Sequence, residues 1–295
     1  MTCPVCGGAN PHEAQFCSSC GVPIGSQEEP GATEDIAGKI VVRSIPGLFR
    51  ETFRVYASGF QNLLFIAAIP QVPLIPLEFF PDSRPLTITV LMIGISLVLS
   101  VLANGAMVCA VSQQYLGRPI KARECYGRAW ARVLSLVLST AAFSLAIVGA
   151  IAPGYVLSAT TTIPLATVGA FAQIIGLPLA IYLAVNWFFF SECIILERKG
   201  PLTSLWHSRE LVRGNFWRVL LIGSIFTVIL IIWSYVAVEV SLLFETASPV
   251  LADLVLHAIM TVLTPIVSVG VTLVYYDLRV RKDGYSIDNL AQDMR

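Results

Sequence analysis

VLSLVLSTAAFSLAIVGAIAPGYVLSATTTIPLATVGAFAQIIGLPLAIYLAVNWFFFS, residues 133–191, contains no Asp, Glu, Lys or Arg. One membrane crossing needs about 20 apolar residues. The stretch is therefore too long for one helix and predicts two, joined by a turn near residues 160–164. The rest of the chain agrees with this reading. Charged residues make up 13% and hydrophobic residues 56%, and the mean hydropathy is +0.75. A soluble domain carries about 25% charged residues, so composition excludes an ordinary soluble fold. The formal net charge is zero and says nothing about partners; the placement of charge says more.

Hydropathy predicts an all-α integral membrane protein, a six-helix polytopic bundle with helices near 60–80, 86–112, 133–157, 168–190, 219–243 and 251–276. In the first of these, Pro70, Pro73, Pro76 and Pro81 recur every few residues. Its second half is not expected to be a regular helix and must pack inside the bundle or lie at the interface. The whole membrane domain is read as 39–285 and the remaining tail as 286–295. The first 38 residues hold neither a basic n-region nor an apolar h-region, so insertion is expected to begin with the helix near Phe60.

Basic residues orient a bundle by gathering on the cytoplasmic side. With six crossings and an inner N-terminus, all of the 19 Lys and Arg except Arg84 fall on that side. The opposite orientation would place all but one outside. This predicts a multi-pass protein of the plasma or inner membrane with both termini cytoplasmic. Cys109, Cys125 and Cys193 then lie at or near the inner face, where thiols stay reduced, and disulfides are not expected.

An internal repeat is also read. Each odd-numbered helix follows a basic, aromatic segment: LFRETFRVYASGF, CYGRAWARV and LWHSRELVRGNFWRV, with Phe49, Tyr126 and Trp206 at similar spacing. Phe49, Phe53, Tyr56 and Phe60 form one helical stripe in the first. Three units are predicted, each an interfacial amphipathic helix followed by a transmembrane hairpin.

The N-terminal segment differs from everything after it. MTCPVCGGANPHEAQFCSSCG places Cys3, Cys6, Cys17 and Cys20 as two Cys-x-x-Cys knuckles, each followed by glycine, Gly7 and Gly21. Four thiolates close a tetrahedral shell around one Zn²⁺ with no open position, so the ion is expected to be structural. In so short a module (residues 1–25) the metal supplies most of the folding energy. Residues 26–38, SQEEPGATEDIAG, read as a flexible acidic linker; a coil of about 15 residues reaches roughly 20 Å. The head and linker carry no Lys or Arg but include Glu13, Glu28, Glu29, Glu34 and Asp35. Phosphate backbones and anionic lipid would be repelled. A cytoplasmic protein partner is expected instead, with the lipid bilayer as the other partner and no nucleic acid. The segments CPVCG, NPHEAQFC and CSSCG resemble the small zinc-ribbon modules at the ends of many bacterial and archaeal membrane proteins.

Seven polar residues within the apolar segments invite a functional reading: Asn104, Gln173, Asn186, Glu192, Glu239, Asp253 and His257. Glu239, Asp253 and His257 fall near outer helix ends, with Glu78, Asp82 and Glu245 as an acidic rim; ordinary interfacial charge is the favoured reading, and a cation or proton site is the alternative. Asn104 and Asn186 lie toward inner halves and suit inter-helix hydrogen bonding. No catalytic constellation is present: HEAQF lacks the second histidine of a zinc protease motif, and neither a G-x-S-x-G nor a phosphate loop occurs. No enzymatic activity is expected.

The run TPIVSVGVTLVYYDLRVRKDGYSID, the segment LFRETFRVY and the loop LERKGPLTSLWHSRELVRGNFWRVL resemble the membrane domains named for glycerophosphoryl diester phosphodiesterase, over about residues 40–290. The resemblance implies a six-helix scaffold of unassigned role and no catalytic residues. In YYDLRVRK the basic residues are expected to hold the last helix to the anionic inner leaflet. The function expected from all of this is a non-enzymatic membrane protein whose zinc ribbon contacts other proteins. The alternative is a small-solute or ion transporter or channel with the ribbon as an accessory regulatory head.

Overall fold

The computed structural model describes residues 40–79, 85–160 and 163–294, within a unit spanning Gly38–Arg295. The head, with Cys3, Cys6, Cys17 and Cys20, and the acidic linker lie outside the described residues, as does Asp82. Within them the chain is helical. Ser44 accepts a hydrogen bond from the amide of Gly47, and a proline occupies the first turn, so helix α1 starts there and runs Ile45–Ala68. Short α2 is Ile75–Phe79. Then follow α3 (Leu86–Tyr115), α4 (Ala122–Trp130), α5 (Val133–Ser158), α6 (Ile163–Asn186), α7 (Phe190–Ile195) and α8 (Pro201–Val212). The last three are α9 (Phe216–Glu245), α10 (Pro249–Asp283) and α11 (Ile287–Asp293).

Among the described residues, five stretches are long and apolar enough to cross a membrane: Leu86–Tyr115, Val133–Ser158, Pro164–Ile195, Phe216–Glu245 and Pro249–Asp283. The third takes in most of α6, the turn at 187–189 and α7. The predicted helix at 60–80 is replaced by a different arrangement. α1 begins fifteen residues earlier and ends at Ala68; a 3-10 turn, Ile69–Gln71, and α2 complete the proline-rich stretch. The cause is local. Arg50, Glu51 and Arg54 occupy the early part of α1, leaving an apolar portion too short for a roughly 30 Å hydrocarbon core, and Pro70 starts the break. The irregular backbone is sheltered: Pro70 is buried, and Ser96 of α3 donates to its carbonyl at 2.7 Å.

The three-unit pattern is visible in the second and third units, where short α4 precedes the α5/α6 hairpin and short α8 precedes the α9/α10 hairpin. In the first, the amphipathic helix and the start of the apolar segment are fused in α1. The stripe predicted for it is shifted. Leu48, Thr52, Val55, Tyr56, Gly59, Leu63 and Ile66 face inward, while Phe53 and Phe60 are exposed.

Helices α3 and α10 hold 30 and 35 residues, about 45 and 52 Å at about 1.5 Å per residue. Both exceed the bilayer core. Their first halves carry exposed apolar side chains such as Leu86, Leu91, Leu97 and Leu251, the surface expected against lipid. Their second halves are largely buried: Leu102, Ala103 and Ala106–Val111 of α3 and Val269, Leu273–Tyr276 and Leu278 of α10 pack with Cys193–Leu196, Cys125, Ala129, Leu211 and Val219. The core therefore sits at the end where the Lys and Arg gather, called the basic end below. The α5/α6 hairpin is held by close backbone approach. A methyl on Gly176 would strike the carbonyl of Ala150, and one on Gly169 the backbone of Ser158.

Candidate functional site

The end of α10 organises the basic end. Gly284 adopts the left-handed conformation that closes the helix, with its amide bonded to the carbonyl of Val280. Just before it, two adjacent tyrosines, Tyr275 and Tyr276, are followed by the charged side chains of Asp277, Arg279, Arg281, Lys282 and Asp283. The Asp277 carboxylate, 1% exposed, accepts the backbone amide of Arg43 at 2.7 Å. It also pairs with Arg218 of α9 at 3.0 Å and with Arg281 at 2.9 Å. Arg218 and Arg281 each donate in addition to the Arg43 carbonyl. Glu197, in the turn before α8, receives Arg279, the Tyr275 hydroxyl at 2.7 Å and His207 Nε2 at 2.8 Å. Burial pushes the Glu197 carboxyl up, but the hydrogen bonds from His207 and Tyr275 and the Arg279 charge outweigh it and hold the carboxyl below its ordinary value. Glu51 of α1 joins Arg43, Arg54 and the Tyr115 hydroxyl.

These contacts correct the expectation that Arg279 and Arg281 hold the helix to the leaflet. Both are committed to carboxylates, and Lys282 donates to the Glu210 carbonyl. The tail is committed too: α11 buries Leu290, and Arg128 of α4 donates to the carbonyls of Asp293 and Met294 at 3.1 and 2.6 Å.

A second feature lies where α6 breaks. The helix stops at Asn186, turns through Trp187–Phe189 and resumes as α7. The broken backbone is repaired by Ser208 of α8, fully buried, which donates to the Asn186 carbonyl at 2.9 Å and accepts the Phe189 amide at 3.0 Å. Beside the break is a crevice of about 350 Å³ among α3, α5, α7 and α10. Its wall is mainly apolar and aromatic, with Phe143 close to Trp187 and Phe190. Its polar lining includes Asn104, Thr140, Ser144, Ser268 and Glu192. Ser268 reaches Asn104 Oδ1 at 3.5 Å. Glu192 is 2% exposed; Ser191 donates to it at 2.9 Å, and no ion pair involves it among the described residues. Counted along α3 from Leu86, Asn104 lies about 27 Å in, toward the basic side of the bilayer core.

Of the other polar residues singled out in the sequence, His257 lies 3.6 Å from Glu78, and Asp253 hydrogen-bonds Glu78. Glu239 stands apart, beside Tyr235. Gln173 packs over Gly154, and the Asn186 side chain donates to the Tyr182 carbonyl at 2.7 Å. Cys109, Cys125 and Cys193 are buried free thiols. The hydrogen bond with Cys109, then burial, pushes the Cys125 thiol up, away from the reactive thiolate. Among the described residues no group of His, Cys, Asp and Glu is placed to hold a metal.

Sequence reasoning missed Asp277, Glu197 and Ser208 as organising residues. The YYDLRVRK motif was a signal for the first. Glu197 and Ser208 carry none, because their partners lie on other helices.

These spans and the lipid-type surface define a polytopic α-helical membrane protein. A family model described as a domain of unknown function, DUF7847, matches residues 123–278, more than half of the chain. The chain belongs to that family, and the matched region runs from α4 to the Tyr275–Leu278 segment. No curated protein and no solved structure matches the chain.

Proposed function

We propose that the chain is a non-enzymatic platform of the cell membrane that presents a zinc-organised head to a cytoplasmic protein partner. The observation that carries this reading is the clamp on Arg43. Its amide on Asp277, and its carbonyl under Arg218 and Arg281, anchor the first described residues to α9 and α10. Four cysteines at knuckle spacing, Cys3, Cys6, Cys17 and Cys20, would hold one structural Zn²⁺. The absence of Lys and Arg from residues 1–38 favours a protein over nucleic acid. In this reading α1 with α2 provides the first of six crossings, both termini are cytoplasmic, and the resemblance to the glycerophosphoryl diester phosphodiesterase membrane domains extends to the scaffold alone.

The test is affinity capture from membranes with the full chain, with residues 1–38 deleted, and with Cys17→Ser and Cys20→Ser together. A partner retained by the full chain and lost by both variants supports the platform; an unchanged set of partners rejects it. Zinc content of the purified full chain should be near one ion per chain.

The Glu192 crevice favours a second reading, transport of a small solute, because an intramembrane carboxyl group with no ion pair among the described residues is a recurrent feature of transport sites. Deleting residues 1–38 separates the two: a transporter keeps its flux in proteoliposomes and loses it in Glu192→Gln, whereas a platform has no flux to lose.

A further inference from the structure

A cavity of about 580 Å³ lies where the end of α6, the end of α8 and the start of α9 meet. Tyr182 and Phe216, with ring centroids 5.8 Å apart, border it, and Arg209 and Arg213 contribute its positive charge. These two arginines differ from the ion-paired ones at the basic end. Arg43, Arg54, Arg218, Arg279 and Arg281 all face carboxylates. Neither Arg209 nor Arg213 forms an ion pair among the described residues; the Arg209 guanidinium instead lies over the Trp206 ring at 5.1 Å. Glu210, also at the cavity, has its carboxylate 3.6 Å from His207 Nδ1.

Leu202, Trp206, Arg209 and Arg213 follow one another at i, i+4, i+7 and i+11, an exposed stripe that passes from apolar to aromatic to basic. Trp206 is 63% and Trp217 78% exposed. Exposed tryptophans beside spanning helices mark headgroup depth. The wall formed by Gly214 and Phe216 is where α9 begins, and Asn215 offers it no side-chain cap. The orphan amides of a first helical turn add positive potential.

The geometry points to a binding site for the phosphate of an anionic phospholipid in the leaflet at the basic end, held by Arg209 and Arg213 with Trp206 against the adjoining acyl region. Guanidinium forks match phosphate oxygens in paired hydrogen bonds. The cavity is large enough for a headgroup, and the exposed aromatic stripe places its opening in the layer where lipid phosphates lie. This inference rests on α6, α8 and α9 alone and is independent of the head.

The full chain is purified into nanodiscs of phosphatidylcholine containing one-fifth phosphatidylglycerol, and the lipids retained on release are counted by native mass spectrometry. Retention of phosphatidylglycerol over phosphatidylcholine is expected, weakened about tenfold or more in Arg209→Gln with Arg213→Gln. Arg118→Gln with Arg123→Gln, outside this cavity, should leave it unchanged. Arg209→Lys, which keeps the charge and loses the fork, should fall between. A second readout needs no arginine variant. Phosphatidylglycerol brominated in its acyl chains should quench the fluorescence difference between the wild type and Trp206→Phe, and brominated phosphatidylcholine should not. Equal retention of both lipids, equal quenching by both, or displacement of phosphatidylglycerol by millimolar inorganic phosphate would overturn the assignment, the last by making the site one for free phosphate.

Discussion

The amide of Arg43 donates to Asp277 Oδ1 at 2.7 Å across 234 positions of chain. One buried carboxylate therefore joins the first described turn of the protein to the end of its last long helix. Two guanidinium groups, from Arg218 and Arg281, close over the same carboxylate, so its charge is satisfied from three directions.

Removing that charge strands its partners. Asp277→Asn keeps the size of the side chain but leaves Arg218 and Arg281 without a counter-ion, and breaking a buried pair in this way costs about 3–5 kcal/mol. Arg281 is the more exposed of the two arginines, so Arg281→Gln should cost much less. Thermal unfolding in detergent measures both. Equal, small losses would mean that the carboxylate is not the joint described here.

Ser208 should be nearly as sensitive, although it carries no charge. Alanine in its place leaves the Phe189 amide and the Asn186 carbonyl unpaired at the helix break, an expected loss of about 1–3 kcal/mol. Hydrogen exchange should rise first at residues 187–190. A uniform rise across α6 with no local signal there would show that the break is held by something other than this hydroxyl.

The difference between Asp277 and Ser208 also explains what could be read from sequence. Charge-free runs such as residues 133–191 locate spanning helices because lipid tolerates so few alternatives, and Pro70, Pro73 and Pro76 forecast the irregular stretch because a ring without an amide hydrogen cannot continue a helix. Pairing across helices leaves no such trace. Arg281 looks the same in one dimension whether it meets a phosphate or Asp277, so the basic exit of α10 was read as a lipid anchor and is a protein-internal joint. The start of α1 was misplaced for a related reason. Arg50, Glu51 and Arg54 lower the hydropathy there, while Leu48, Thr52 and Val55 on the inward side hold the helix together. The four head cysteines lie outside the described residues, so the zinc site expected from their spacing belongs to the proposal, and the crevice around Glu192 could be seen only once α3, α5, α7 and α10 were assembled.

Glu197 gives the basic end an acid limit. Its carboxyl is held below the ordinary value of 4.5 in the folded protein. A depressed carboxylate contributes stability that is fully present above the unfolded value and is lost as pH falls through the folded one. The melting-temperature gap between wild type and Glu197→Gln should therefore close as pH falls below 4.5. A gap that stays open far below 4.5 would mean that the pairing with Arg279, Tyr275 and His207 does not favour the charged form.

The α5/α6 hairpin offers a test of packing with no charge involved. Gly176 lies against the Ala150 carbonyl so closely that even one methyl must push backbone from backbone, and backbone cannot swing aside as a flexible side chain would. Overpacking of this kind costs about 1–3 kcal/mol; Gly176→Ala should lie within that range and Gly176→Leu above it. Gly94 of α3 is the control, since a methyl there meets nothing within 4 Å. Gly94→Ala should be neutral or slightly stabilising, because alanine restricts the unfolded chain and favours helix. Cysteines introduced at Ala150 and Gly176 would confound this comparison by filling the gap, so the readout is the unfolding midpoint of the three substitutions in one detergent. If Gly176→Ala is as well tolerated as Gly94→Ala, the two helices do not touch at that glycine, and the hairpin must be held by its exposed apolar faces meeting lipid or another chain.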